Sequence, residues 1–458
     1  MKIINKNDLL KSEYFPEINA RRVALESLEF ALNAADPLKF VSKHITLKKE
    51  ELIIDNSRFN LKKFNKIIIV GGGKASGRMA QALEKMLGKR IHNGIINVLE
   101  GTSSMFKTDK IELMEASHPI PNIKGIEGVK RMFLLAEKID HQDLIICLIS
   151  GGGSSLMPYP IDGISLKDKQ DTTKLLLNSG ATIKEINYVR KHLSNIKGGR
   201  LAKTFYPATI ISLIISDVIN DSLDTIASGP TVPDNSTFDD AINILNYYQI
   251  WNKVPNAIRK VLVNGSYGII PETPKTSDKF FKKVHNFIIG NNWSACMAAQ
   301  KRLKHEGFHT MILTPYIQGE AKEVGKILSS IIRSIDIKGK PIKRPAAIIS
   351  GGETEVTVKG SGKGGRNQEL VLSASMGIEG IDKVAVVSMS TDGVDGVTNV
   401  AGAIADGNTI HRALHLKLNP NIFLKKNDSF HFFEKLKDLL ISRPTGTNVS
   451  DIIIFVLS

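Results

Sequence analysis

Cysteine is scarce, aromatic residues are few, and long apolar runs are missing. Cys147 and Cys296 are the 2 cysteines among 458 residues, which excludes a disulfide framework. The first falls in a strand-like run and the second in a helix-like one, so both read as buried free thiols in a reducing cytoplasm. Aromatics make up 6% of the chain, too thin a supply for base-stacking platforms. The basic residues form no dense stripe either. Lysines occur as scattered pairs, such as Lys48 with Lys49 and Lys282 with Lys283, with acids between them. The net charge of +15 therefore argues for attraction of anionic substrates rather than for a nucleic-acid partner. Apolar runs such as 210–215 and 452–457 have strand length and exclude a membrane span. The opening MKIINKNDLLKSEYFP carries charges throughout and predicts no signal peptide.

What is present is an ordinary globular composition, 42% hydrophobic and 23% charged, in a chain long enough for two or three domains. Helical patterning covers residues 20–35, 76–87, 125–139, 166–178 and 184–205. Strand patterning covers 66–70, 94–99, 144–149 and 209–215. This alternation predicts an α/β fold, its sheet mostly parallel and covered by helices on both faces. In such folds ligands collect at the carboxyl ends of the strands. Periodicity lapses over 264–278 and resumes with a strand at 287–289, a helix at 293–306, a strand at 310–313 and a helix at 319–335. A polar joint at 338–345 precedes further strands. The expected division is 1–275 against 276–458, with the active site in a cleft between two α/β lobes.

Three apolar runs end in glycine clusters. Gly71, Gly72 and Gly73 lead to Lys74; Gly151 to Gly153 lead to Ser154 and Ser155; Gly351 and Gly352 lead to Glu353. Glycine at a strand end lets backbone N–H groups turn toward a ligand, and three such turns point to an enzyme with a small, heavily ionised substrate. The first, VGGGKASGRM, is no dinucleotide fingerprint, because Ser76 stands at the third glycine position. It is no Walker A loop either, because Arg78 and Met79 follow Gly77. A lysine at a helix start remains, suited to a carboxylate or phosphate. The second turn lacks the G-x-S-x-G spacing of a nucleophile elbow, so Ser154 and Ser155 read as donors to a phosphate.

Acids cluster after two strands. SDVINDSLDTIASGPTVPD brings Asp217, Asp221 and Asp224 to one loop, which suits Mg²⁺ held with phosphate oxygens or a general base toward a hydroxyl. Asp217 leads because it leaves the strand directly, while Asp224 reads equally as a cap. In SGGETEVTVKGSGKGGRNQE, Gly365, Arg366 and Asn367 open a helix, and the guanidinium can fork onto a carboxylate or a transferring phosphoryl group. STDGVDGVTNVAGAIADG adds Asp392, Asp395 and Asp406. His118, in ASHPIPN, reads as a ligand contact or a structural residue in extended backbone.

GGGKA (71–75), ASHPIPN (116–122), LISGGGSSL (148–156), VRKHLSNIKGGRLA (189–202), the SDV segment (216–234), SGGETEVTV (350–358), GGRNQE (364–369), STDGVDG (390–396) and PTGTNVSD (444–451) together resemble the class II glycerate 2-kinases, which carry a C-terminal MOFRL domain. The resemblance implies a Rossmann-like α/β/α N-terminal domain and a smaller mixed α/β C-terminal domain, with MOFRL over about 345–455. It implies ATP- and Mg²⁺-dependent phosphorylation of D-glycerate on the C2 hydroxyl, giving 2-phosphoglycerate and ADP. Lys74 and Arg366 match the family's active-site cations, and Asp217 matches its SDV aspartate. The expected binding set is Gly72, Gly73, Ser154, Ser155, Gly352, Glu353, Gly365 and Asn367, with Asp217, Asp221 and Asp392 as candidate Mg²⁺ ligands. Asn220 departs from the glycine more usual in the family. Expected partners are D-glycerate and ATP, with no nucleic acid and no membrane, and a homodimer is a candidate assembly. Two rivals stand beside this reading: an NAD(P)H-dependent hydroxypyruvate reductase, and a non-catalytic binder of sugar acids or sugar phosphates.

Overall fold

In the computed structural model, which describes residues 2–11 and 16–458, Pro37–Ile289 folds as one unit, and Met1–Asp36 joins Gly290–Ser458 in a second. The first, inserted unit opens with an antiparallel sheet of β1 (Ile45–Lys48), β2 (Glu51–Ile54) and β3 (Ser57–Asn60). Its main sheet holds β4 (Ile67–Gly72), β5 (Ile91–Leu99), β6 (Ile111–Ala116), β7 (Leu144–Ser150), β8 (Thr209–Ile215) and β9 (Val284–Gly290), in the order β6-β5-β4-β7-β8-β9. β4 runs parallel to β5 and β7, β5 to β6, and β7 to β8.

Every residue of β4 and β7 is buried, as expected for parallel strands covered on both faces, so their sequences read as continuous apolar runs. Ile68, Val70, Ile145, Cys147 and Ile149 share a core with Val129 and Met132 of the helix Ile123–Ala136. Three helices, Leu166–Asn178, Ile183–His192 and Phe238–Tyr247, each start with a capping box (Ser165 with Asp168, Thr182 with Glu185, Thr237 with Asp240). The reciprocal bonds satisfy amides that the first helical turn leaves orphaned. These helices enclose their own apolar cluster around Leu176, Val189 and Leu245. The helix read from the sequence over 184–205 is interrupted. It resumes at Arg200–Thr204 after Gly198 and Gly199 take φ values of 56° and 80°, left-handed geometry that ends a helix.

The second, split unit has a mixed sheet of β10 (His309–Ile317), β11 (Ala346–Gly352), β12 (Val384–Ser390), β13 (Gly402–Asp406), β14 (Leu439–Leu440) and β15 (Asp451–Leu457), in the order β10-β11-β15-β12-β13-β14. β10 and β11 are parallel, and β15 is antiparallel to both its neighbours. Ile453, Phe455 and Leu457 share a core with Leu328 and Ile332 of the helix Ala321–Lys338 and with Leu370 and Val371 of the helix Arg366–Gly377. The alternate residues of β15, on its other face, are buried as well, and the helix Ile18–Ala34 packs against β15 and β12.

These units differ from the division at 275 read from the sequence. The stretch 284–290 forms β9 beside β8, so the inserted unit runs on to Ile289. The first 36 residues belong instead with the split unit. Asn5 Nδ2 donates to Leu439 O at 2.8 Å, and Thr447 Oγ1 donates to Ala35 O at 2.6 Å. Arg21, fully buried, donates to Asp406 Oδ2 at 2.5 Å, to Asp438 Oδ1 at 2.6 Å and to Leu9 O at 3.0 Å. Arg412 adds a donor to Asp438 at 2.7 Å. Asp406, a candidate acid in the sequence, is thereby spent on a buried ion network. Losing Arg21 would leave Asp406 and Asp438 with Arg412 as their one remaining cation among the described residues, and breaking such a buried network is destabilising. Among the described residues no helix is long and apolar enough to cross a membrane.

Glu17, also buried, precedes that helix. Burial, aided by the charges of Asp406 and Asp382, raises its carboxyl from 4.5 to about 7, against hydrogen bonds from the backbone of Lys383 and Val384. A raised carboxyl binds its proton more tightly in the folded state, so the contribution of Glu17 to stability is full below pH 4.5 and declines as pH rises through about 7. Urea melts across this window should show a loss on the order of 3 kcal/mol in the wild type, and Glu17→Gln should flatten it. An equal slope in the variant would assign the loss elsewhere.

Candidate functional site

From β4 the chain crosses to β5 and β6 on one side, and from β7 to β8 and β9 on the other. The carboxyl ends of β4 and β7 therefore flank the topological switch point, where open α/β sheets bind ligands. Both N-terminal glycine turns lie here. Gly73 has φ 152°, and a methyl group on it would sit 2.2 Å from Ser150 Oγ, so the turn lies directly on the end of β7. Its amides are used in holding it there. Gly73 N donates to Asn97 O at 3.2 Å, Lys74 N to Gly151 O at 2.9 Å, and Ala75 N to Ser150 Oγ at 3.0 Å. Gly72 and Gly73 are expected from the sequence to bind substrate or phosphate; in the turn Gly73 permits close approach, and Lys74 is the cation the turn carries. Across it, a Cβ on Gly152 would lie 3.2 Å from Lys74 Cγ and 3.0 Å from His118 Cδ2. Lys74 and His118 therefore flank the second turn together.

Ser154, expected as a phosphate donor, is engaged by two cations. Its Oγ accepts from Lys197 Nζ at 2.6 Å and from the Arg190 guanidinium. Ser228 Oγ lies 3.2 Å away and itself donates to Asn187 Oδ1 at 3.0 Å, so the Ser154 proton points to Ser228. The hydroxyl positions two cations. Lys197 sits in the helix break made by Gly198 and Gly199, and it and Lys169 are buried. Burial, followed by repulsion from Arg190 and Lys169, pushes the Lys197 ammonium well below its ordinary range. Burial, with Arg190 and Arg200, brings Lys169 down to about 7. Sequence reasoning missed this trio, although VRKHLSNIKGGRLA carries two of its members within the family motif. Ser155 N donates to Gly152 O at 3.0 Å, and the Ser155 side chain is half-buried.

The loop after β8 carries Asp217, half-buried. Asn220 and Asp221 take φ values of 62° and 52°. Asparagine tolerates this left-handed region better than most residues, so Asn220 supplies the shape expected of glycine there. Asp224 accepts from Ser222 and lies 3.6 Å from Lys191, which is also 3.3 Å from Asp234.

In the split unit Arg366 opens its helix with Nε 2.6 Å and NH2 2.9 Å from the two oxygens of Asp451, and NH1 2.8 Å from Glu353. Burial alone would lower its pKa, but Asp451 and Glu353 outweigh it and hold the guanidinium above its ordinary value. Asp451 belongs to PTGTNVSD and was not singled out in the sequence. Gly352 has φ 138°, with Ile317 O only 2.3 Å from where a Cβ would stand; Glu353 N donates to Ile317 O at 2.9 Å. Here too the glycine serves backbone approach.

Gly365 and Asn367 are bound up with Asp395, whose oxygens accept from the amides of Asn367 and Gln368 at 3.1 and 2.9 Å and from both side-chain amides. Asn367 Oδ1 accepts from Ser388, so its side chain is committed to the protein. Burial raises the Asp395 carboxyl, against those N–H donors. Asp392 Oδ1 accepts from Ser390 Oγ and Val394 N in a local turn. Among the described residues no three His, Cys, Asp or Glu side chains gather as a metal cluster. The concavity lined by Asn93, Ser103, Phe106 and Arg131 contains none of the candidate residues.

Residues 23–263 match a domain of unknown function, DUF4147, and residues 346–451 match the MOFRL family. The chain is 40% identical to a D-glycerate 2-kinase of Thermotoga maritima, over 96% of this chain and 99% of that protein. It is likewise 40% identical to a glycerate 2-kinase of Pyrococcus horikoshii, over 96% and 98%. The crystal structure of a Thermotoga maritima glycerate kinase aligns with a TM-score of 0.82 at 40% identity, covering 95% of this chain and 99% of that one.

The close approach of the first turn is open to test. Gly73→Ala should lower stability by roughly 1–3 kcal/mol in urea melts and displace Lys74. Unchanged stability would mean that the turn has room for a side chain.

Proposed function

The chain belongs to the glycerate 2-kinase family, and on that premise we propose that it transfers the γ-phosphoryl group of ATP to the C2 hydroxyl of D-glycerate, giving 2-phosphoglycerate and ADP. The observation that carries this reading is the full-length likeness to a D-glycerate 2-kinase. A switch point whose side chains are cationic supports it. Both substrates are anions, and phosphoryl transfer asks a protein chiefly for positioning and charge neutralisation.

Lys74 is assigned the glycerate carboxylate, with His118 beside it. Asp217, which leaves β8 directly, is assigned the proton of the C2 hydroxyl. Arg366 is assigned phosphate charge. Asp451 and Glu353 take three of its five N–H groups, which fixes the guanidinium and leaves donors for oxygens. Mg²⁺ would offset phosphate charge here. It commonly takes one or two protein carboxylates beside phosphate oxygens, a donor set that Asp221 and its neighbour Asp217 fit.

NMR of the product made from D-glycerate and ATP is expected to show 2-phosphoglycerate; 3-phosphoglycerate would overturn the C2 assignment. NADH oxidation with hydroxypyruvate, and no ATP turnover, would replace the kinase by a reductase. Lys74→Met should lower kcat/KM by about 100-fold or more, in line with the loss of one charge-stabilising donor. Arg366→Lys keeps a charge but loses the fork, and should reduce kcat similarly. It is a cleaner probe than Arg366→Ala, which would also leave the buried Asp451 unpaired and destabilise the unit. Near-normal turnover in both variants would remove these two residues from the site.

A further inference from the structure

The inserted unit treats its buried cations in two ways. Lys191, 2% exposed, lies 3.3 Å from Asp234 and 3.6 Å from Asp224, so its charge is answered within the protein. Its neighbours in space are not so treated. Among the described residues no carboxylate forms an ion pair with Lys169, Arg190 or Lys197, and Lys169 Nζ is buried without a hydrogen-bond partner. Ser154 Oγ and Ser154 O accept from Lys197, and Ser154 Oγ from Arg190, but a hydroxyl and a carbonyl carry no charge to offset theirs.

Three like charges gathered in a buried place repel one another, and each has lost hydration that a neutral acceptor only partly replaces. Such an arrangement persists where an anion answers it. A carboxylate brings a single negative charge, whereas a phosphate group brings up to about two and three acceptor oxygens, closer to what a guanidinium and two ammoniums can serve. Access exists, because Arg190 and Ser154 are half-buried, whereas Lys169 and Lys197 are buried. The two buried members come from different segments, the helix Leu166–Asn178 and the break after Ile183–His192, and the second glycine turn supplies the hydroxyl between Arg190 and Lys197.

We propose that Arg190 and Lys197, held on Ser154, form with the buried, unpartnered Lys169 a binding subsite for a multiply ionised phosphate group. Resting on the glycerate kinase reading, that phosphate belongs to the nucleotide or to the phosphoglycerate product.

Isothermal titration of the full chain with inorganic phosphate, ADP, ATP, 2-phosphoglycerate and D-glycerate tests this, in the wild type and in Lys169→Met and Arg190→Gln. The wild type should bind at least one phosphate-bearing ligand, and both variants should bind it at least about tenfold more weakly, with D-glycerate affinity unchanged. A loss confined to ATP and ADP places the nucleotide on the trio. One confined to 2-phosphoglycerate places the product there, and a loss for both or for inorganic phosphate supports a shared phosphate site. Arg190→Gln, at a residue less buried than Lys169, answers the question should Lys169→Met misfold. Unchanged affinity for every phosphate ligand, or a loss for D-glycerate alone, overturns the subsite. Because the readout is binding, a chain that binds phosphate through the trio yet phosphorylates nothing would overturn the kinase reading alone. A working kinase with unaltered phosphate affinities would overturn the subsite alone.

Discussion

At the switch point of the inserted unit, two strand ends approach so closely that no side chain fits between them. A Cβ on Gly71 or Gly73 would meet the backbone of Leu148 or the hydroxyl of Ser150 at 2.1 and 2.2 Å. Because the first turn lies directly on the second, Lys74 and His118 come to flank Gly152, and Ser154 follows two residues later beside Arg190 and Lys197. The amides of the first turn lock this approach, so the chemistry falls to side chains, and their positions derive from backbone packing. Glycine here serves geometry first and ligand second.

The two units fix their cations by opposite means. Arg366 is clamped by Asp451 and flanked by Glu353, and the Asp395 carboxylate receives the opening amides of its helix. That charge is held ready and directional before any ligand arrives. Arg190 and Lys197 are held by neutral acceptors on Ser154, and the ammoniums of Lys169 and Lys197 are depressed by burial and by neighbouring cations. The first arrangement orients a group at small electrostatic cost, and the second stores affinity for whatever anion completes it.

Much of this was legible in the sequence, for identifiable reasons. Continuous apolar runs such as 67–70 and 144–149 belong to strands buried on both faces, and glycine punctuated their ends. The family motifs then fixed Lys74, Asp217 and Arg366 as candidates. The rest depended on contacts remote in sequence. Arg21 reads as an ordinary helical arginine until Asp406 and Asp438 are brought to it. Lys169, in LKDKQDTT, reads as a solvated lysine, and nothing local marks it as buried. The strands β1 to β3 are four residues each, too short for a periodic pattern to distinguish them from loop. The glycine clusters were ambiguous in one respect, since strand crowding and anion cradles leave the same residues behind.

The central position of β15 in the split unit bears on how the chain is made. The inserted unit is one uninterrupted stretch, able to assemble as it emerges from the ribosome. The split unit has its first helix synthesised early, while β15, which bridges β11 and β12, is the last strand in sequence. Until β15 is available, β11 and β12 expose edges, and the helix Ile18–Ala34 lacks part of the surface that covers it. That helix therefore waits through the synthesis of an entire neighbouring unit, so the order of translation makes completion of the Arg366 site a late event.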